Sequence, residues 1–402
     1  MTGKRRFLAA LRGEIPDRLP VTTHHVMPYF LDRYMGGIDD QAFFDRFGLD
    51  PIQWIVAHKP ADPGREYFDP EQGEIGFLEA RRVVSDDWRI HSESLNPAGT
   101  QLQRDETTIR YTFVTPVKSL TMALQSNAQT AWVREPLIKE KSDIDIIGYY
   151  LPHPECDASA INRAAQSYGE RGLIRGHVLC FDVYGQPGCW QDACCLFGTE
   201  NMILATFEDP CWVHEFLQIL FERKMSYLES MAGVQYDLLE LGGGDASSTV
   251  ISPKIFEEFV APYDTVLIEA AHRAGQRISY HTCGGMMPLL ERIAAMNPDA
   301  METFTPRSMG GDAELSAAKE RIGDQVCMIG GFDQYHFFNG CSAHETRAEV
   351  RRCFREAGAG GRYILSPSDH FFDADPELIR AYAGEARSCI YGASRADPLE
   401  EY

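Results

Sequence analysis

The chain has 402 residues, 44% apolar and 24% charged, ordinary proportions for a globular protein that bury a large core without staples. Its net charge of −21 repels phosphate backbones and argues against nucleic-acid binding. No apolar run reaches the ~18 residues of a membrane span, and the 11 cysteines, none in a CxxC array, read as reduced thiols of a cytoplasmic protein.

In chain order, residues 1–13 predict a basic amphipathic helix without the apolar centre of a signal peptide. Strands are predicted at 19–24 (LPVTTH) and 51–56. Residues 60–150 break the pattern, and within them 107–117 (TTIRYTFVTPV) alternates with period two, as an antiparallel hairpin does. That segment is expected as an insertion at the mouth of the fold. After residue 170 short apolar runs alternate with helical patterns, the signature of βα units. The strands fall at 173–179, 238–242, 277–283, 300–305, 326–330 and 363–367. One helix starts at Asp209-Pro210; another starts at Ser252-Pro253, with Ser252 as N-cap and Pro253 at the first helical position, and runs toward Ala274. Later helices are predicted at about 287–296, 313–321, 344–356 and 376–387.

Six βα units and two earlier strands make eight, the number in a TIM (β/α)8 barrel. The expectation is one α/β domain over 1–402 with an insertion at about 60–150. No GxGxxG follows a first strand, which disfavours a dinucleotide-binding doubly wound sheet.

The sharpest local signal is His281-Thr282-Cys283-Gly284-Gly285. Side chains at i and i+2 of a strand share a face, so His281 and Cys283 point together at a C-terminal strand end, where TIM barrels place active sites. Imidazole and thiolate form a zinc pair; the alternative is a buried histidine beside a buried cysteine. Asp245, Glu302, Asp333, Asp369 and His370 also fall on or after predicted strands. Each could be a solvated carboxylate or loop histidine, but together they suit one site. Asp369 and His370 best complete a metal set, since three protein ligands leave zinc the open position of a catalytic centre. His24 and His25 end the first predicted strand, as lining of the same mouth or as a surface pair. Cys194-Cys195 reads as core packing.

These blocks have a familiar order. Pro16-Asp17-Arg18-Leu19-Pro20-Val21, Thr115-Pro116-Val117, Glu135-Pro136-Leu137-Ile138-Lys139, Ile251-Ser252-Pro253 with Ala261-Pro262-Tyr263, His281-Thr282-Cys283-Gly284, Gly330-Gly331-Phe332-Asp333 and 361–367 resemble the uroporphyrinogen-decarboxylase superfamily over nearly the whole chain. The resemblance implies one of two activities: cofactor-free decarboxylation of a porphyrinogen, or methyl transfer involving a corrinoid protein and a zinc-bound acceptor. True decarboxylases carry an arginine-rich motif where this chain has Thr22-Thr23-His24-His25-Val26-Met27-Pro28-Tyr29, so a substrate with eight carboxylates lacks its partners. The methyltransferase branch pairs an HxC with a distant cysteine. Here His281 and Cys283 match, but Ser366-Pro367-Ser368-Asp369 stands where that cysteine is expected.

The resemblance therefore implies zinc on His281 and Cys283 with Asp369 or His370. It implies Asp245 and Asp333 orienting the acceptor or moving its proton, and His24, His25 and Glu302 meeting the substrate. It further implies a small methyl donor or acceptor, methylcobalamin on a partner corrinoid protein, and a homodimer. A porphyrinogen decarboxylase-like lyase is the alternative, and a non-catalytic barrel retaining only the pocket is a third.

Overall fold

Parallel strands covered on both faces are apolar throughout, and Leu238–Gly242 and Tyr363–Pro367 are buried at every position. A computed structural model describes residues 1–59, 85–96, 106–181 and 183–392. Seven parallel strands form one sheet: Ile52–Trp54, Leu173–His177, Leu238–Gly242, Ile278–His281, Ala300–Thr303, Cys327–Phe332 and Tyr363–Pro367. Their spatial order is their chain order, so all seven C-terminal ends open on the same side of one curled sheet.

The predicted strand at 19–24 is reduced to a single parallel bridge, Val21 to Leu365. Pro20 has no N–H to give a ladder. Its carbonyl accepts from Leu365 N–H at 2.9 Å, Thr22 N–H donates to Leu365 O at 2.9 Å, and Asp50 N–H donates to Val21 O at 2.7 Å. Among the described residues the sheet thus has seven regular strands, not the eight expected, with residues 20–22 hydrogen-bonded between its last strand and the approach to its first.

Capping chemistry sets the helix starts. Asp209 accepts from Trp212 N–H at the head of Pro210–Glu229. Ser252 accepts from Ile255 N–H, and the helix passes through a π-helical stretch at Phe256–Val260 into Ala261–Arg273. Ser342 and Glu345 form a reciprocal capping box before Ala343–Ala357.

The predicted hairpin is part of a larger unit. Arg89–Ser94, Thr107–Val114, Ser119–Ser126 and Ala131–Glu135 make a four-stranded antiparallel sheet in chain order; residues 60–84 and 97–105 of the expected insertion lie outside the described residues. Phe113 packs on Phe181 at 5.3 Å between ring centres, and Tyr184 donates to Ala131 O at 2.7 Å, so this sheet leans on the loop that leaves strand Leu173–His177. Among the described residues no helix is long and apolar enough to cross a membrane.

Candidate active site

The register of the parallel strands builds the floor of the site. His177 lies opposite Glu240, Glu240 opposite Ser279, and His281 opposite Glu302. With the two-residue alternation of a strand, this gathers Arg175, His177, Glu240, Ser279, His281 and Glu302 on one face. Arg175 is fully buried and grips Glu302 with two nitrogens, at 2.6 and 3.2 Å, while meeting Ser279 Oγ at 2.8 Å and Glu240 at 3.4 Å. Its guanidinium also lies 4.3 Å over the Trp54 ring. Two buried carboxylates need such partners, because an uncompensated buried charge is costly.

Above this floor stand imidazoles. His24 places Nε2 at 3.4 Å from Glu240 and Nδ1 at 3.5 Å from Glu302, and His177 Nε2 is 3.2 Å from Glu240. Burial opposes the charge on Glu240, but His177, His281 and His24 pull its pKa below the ordinary range. Burial likewise opposes the charge on Glu302, and Arg175 and His24 hold it well below. Burial works against a charged His281 too, yet Glu240 and the Cys283 side chain raise it to about 10. His24 and His25 go the other way, driven down chiefly by desolvation.

These groups open on a cavity of about 330 Å³ lined by His24, His25, His177, Gln186, Gln191, Glu240, Asp245, His281, Cys283 and His370, among others. Glycines bring the loops close. A Cβ on Gly244 would stand 2.7 Å from Cys283 Sγ, and one on Gly242, at φ +99°, would stand 2.3 Å from His281 O.

The predicted residues separate into groups. His24, His25, His281, Cys283, His370 and Asp245 share the cavity wall. Asp245 sits at its rim, accepting from Gln191 at 2.7 Å and Thr199 at 3.3 Å, and burial raises its pKa. Glu302 lies beneath the wall, held by Arg175 and by Ser279 at 2.6 Å. Asp369 faces a neighbouring cavity of about 570 Å³ that shares His370, and its carboxylate meets His370 Nδ1 at 3.2 Å. Burial disfavours that charge, but His370 holds Asp369 at about 2. Asp333 is in neither lining: it caps the short helix Gln334–Phe337, receiving His336 N–H at 3.0 Å and meeting His336 Nδ1 at 2.8 Å, with the Ser308 hydroxyl also donating to it. The sequence patterns do not single out Arg175, His177, Glu240 and Gln191. The signal was present for three of them: a charged or imidazole side chain inside the runs LIRGH and LLELG has no place in an apolar parallel strand unless it serves a polar centre.

The donor set suits a transition metal. His281 Nδ1 is buried without a hydrogen-bond partner, and Cys283 lines the same cavity. Among the described residues, two sets offer ligand atoms all within 4.8 Å of one another, His24, His25 and His370, and His24, Glu240, His281 and Glu302; Cys283 is in neither.

A curled parallel sheet that gathers imidazole, thiol and carboxylate at its C-terminal strand ends defines an α/β protein with an enzyme-type pocket. The chain belongs to the uroporphyrinogen decarboxylase (URO-D) family, whose model matches residues 185–388. Curated relatives named uroporphyrinogen decarboxylase include those of Colwellia psychrerythraea, 24% identical with 63% of this chain and 69% of the relative covered, and Bordetella pertussis, 31% identical with 54% and 61% covered. The match thus spans just over two thirds of the first and less than two thirds of the second. Among solved structures, a methyltransferase from Methanosarcina mazei superposes with TM-score 0.61 at 15% identity, covering 96% of this chain and 99% of that one; the likeness is one of fold.

Proposed function

We propose that this chain is a methyltransferase moving a methyl group between a small substrate and a corrinoid protein, with zinc on His281 and Cys283 and a third ligand from Asp369 or His370. The observation that carries the reading is the pairing of His281 and Cys283 on one small cavity whose lining, among the described residues, includes no arginine or lysine. A porphyrinogen bearing many carboxylates needs cations, and Arg175 is already committed to Glu302. The cavity, about 330 Å³, is also at the small end of the roughly 300–1,000 Å³ typical of ligand pockets. Decarboxylation is the second reading, favoured by the names of the curated relatives.

When bound, zinc would lower the pKa of an acceptor thiol and the corrinoid would supply the methyl group. The chain's own groups do the rest. Asp245, its pKa raised by burial and its carboxylate aimed by Gln191 and Thr199, takes or returns the acceptor's proton. His24 and His25 crowd the substrate's far side, and Glu302 steadies His24 from below. Asp333 acts through the helix it caps rather than by touching substrate. In this reading residues 20–22 serve as the eighth stave of a closed barrel, and the protein works in the cytoplasm as a homodimer with a corrinoid partner.

The test is direct. Wild-type protein loaded with zinc should consume the absorbance of methylcobalamin when a small thiol is added, and Cys283→Ala should lose at least about 99% of that rate, because activating the nucleophile is worth several kcal/mol. Equal rates in the two proteins would overturn the proposal. Release of CO₂ from a porphyrinogen without metal would establish the second reading instead.

A further inference from the structure

We propose that His24, His25 and His370 form a three-nitrogen site for a divalent transition metal that does not depend on Cys283. The inference stands whether or not the chain transfers methyl groups.

The three rings converge. Their centres lie 4.3 Å apart for His24 and His25, 5.2 Å for His25 and His370, and 5.6 Å for His24 and His370. Each offers a nitrogen, and the three nitrogens lie within 4.8 Å of one another. Nitrogens at about 2.0–2.1 Å from a tetrahedral ion stand roughly 3.4 Å apart, so small ring rotations close the set. All three line the 330 Å³ cavity, and an exogenous ligand could therefore reach a fourth position.

Each ring is also held as a metal ligand needs to be. A ligating imidazole usually meets a carboxylate through its other nitrogen, which fixes the ring and its tautomer. Asp369 meets His370 Nδ1 at 3.2 Å, which turns Nε2 to the ion. Glu302 stands 3.5 Å from His24 Nδ1 and Glu240 3.4 Å from its Nε2, one oriented partner whichever nitrogen binds. His25 is clamped by ring stacking on Trp54, 4.3 Å between centres and 29° between planes, and the Trp54 indole N–H donates to His24 O at 2.8 Å.

The donor chemistry separates this set from the His281–Cys283 pair. Three neutral imidazoles leave the ion its full charge and suit Zn²⁺, Co²⁺ or Fe²⁺; a thiolate gives a softer, less electrophilic centre. The set also spans a seam. His24 and His25 follow the bridge at Val21, His370 follows the strand Tyr363–Pro367, and those two segments are hydrogen-bonded neighbours. An ion here ties the start of the chain to its end and should stabilise the fold by mass action.

The experiment uses the full chain carrying Cys283→Ala, stripped with chelator and titrated with Co²⁺ alone, with visible spectra and thermal melts as readouts. The expected result is one Co²⁺ per chain, no thiolate-to-cobalt charge-transfer band, and a metal-dependent rise in Tm. Adding His25→Gln, or separately His370→Gln at the half-buried position, should weaken Co²⁺ binding by roughly tenfold or more, since even outer partners of metal ligands cost about 10–100-fold. Loss of all Co²⁺ binding in Cys283→Ala would overturn the site, as would binding that neither histidine substitution alters. A wild-type spectrum with the thiolate band and a Cys283→Ala protein that binds nothing would leave the methyl-transfer reading intact while removing this one. Co²⁺ retained in Cys283→Ala, with no thiolate band in wild type, would do the reverse.

Discussion

A buried carboxyl without a cation beside it resolves its cost by keeping its proton. Asp264 is such a group: burial raises it from an ordinary 3.8 to about 7, against the opposing pull of the Tyr280 hydroxyl, donating at 3.0 Å, and of the Lys224 charge. The unfolded chain releases this proton near pH 4 and the folded chain near pH 7. Between those values the folded state binds more protons, so this residue's contribution to stability falls as pH rises. Asp264→Asn removes the titration. The variant should gain on wild type across pH 4 to 7 by up to about 1.4 kcal/mol per pH unit, read as the difference between urea midpoints at pH 5 and pH 8; a pH-independent difference would contradict the assignment. Glu240 and Glu302 are the opposite case, ionised because Arg175 and the histidines surround them. At this scale the half-buried tip of the site, His281 and Cys283, is legible in the sequence, because glycines and a strand end flank them. The network beneath is not. Arg175 and Glu302 stand more than 100 residues apart in the chain, and only the sheet register brings them together.

Elements carry the site as much as residues do. The loop 183–188 supplies Gly185, Gln186 and Pro187 to the cavity wall and is stapled from behind. Lys224, wholly buried on the helix Pro210–Glu229, donates to Val178 O at 3.0 Å, Gln186 O at 2.6 Å and Asp192 at 2.6 Å, while Asp192 accepts Gln186 N–H at 2.6 Å. Lys224→Met leaves Asp192 buried without its cation and should cost about 3–5 kcal/mol in a urea melt. Adding Asp192→Asn should recover more than half, since the amide oxygen still receives Gln186 N–H; no recovery would show that the pair is not the staple. Strand boundaries were legible where an apolar run meets glycine or proline, as at Leu238–Gly242 and Tyr363–Pro367. The four-stranded sheet was half legible. Its strand Thr107–Val114 alternates cleanly, but Arg89–Ser94 is largely exposed and polar and gives no period to read. The stretch near Val21 has the composition of a strand, yet Pro20 leaves it one bridge.

At the scale of the molecule, the curled sheet places the first and last segments of the chain side by side, so His24, His25 and His370 meet the HxC motif of the fourth parallel strand in one mouth. The −21 charge is spread over the whole chain and says nothing of the pocket, whose chemistry is set by local imidazole and thiol groups. In the proposed function Cys283 Sγ and His281 hold zinc there. X-ray absorption at the zinc edge of the loaded wild-type protein measures this most directly. The expected spectrum has a sulfur neighbour at about 2.3 Å beside nitrogen or oxygen neighbours at about 2.0–2.2 Å, with the sulfur shell gone in Cys283→Ala. A wild-type spectrum with nitrogen and oxygen neighbours only would contradict it.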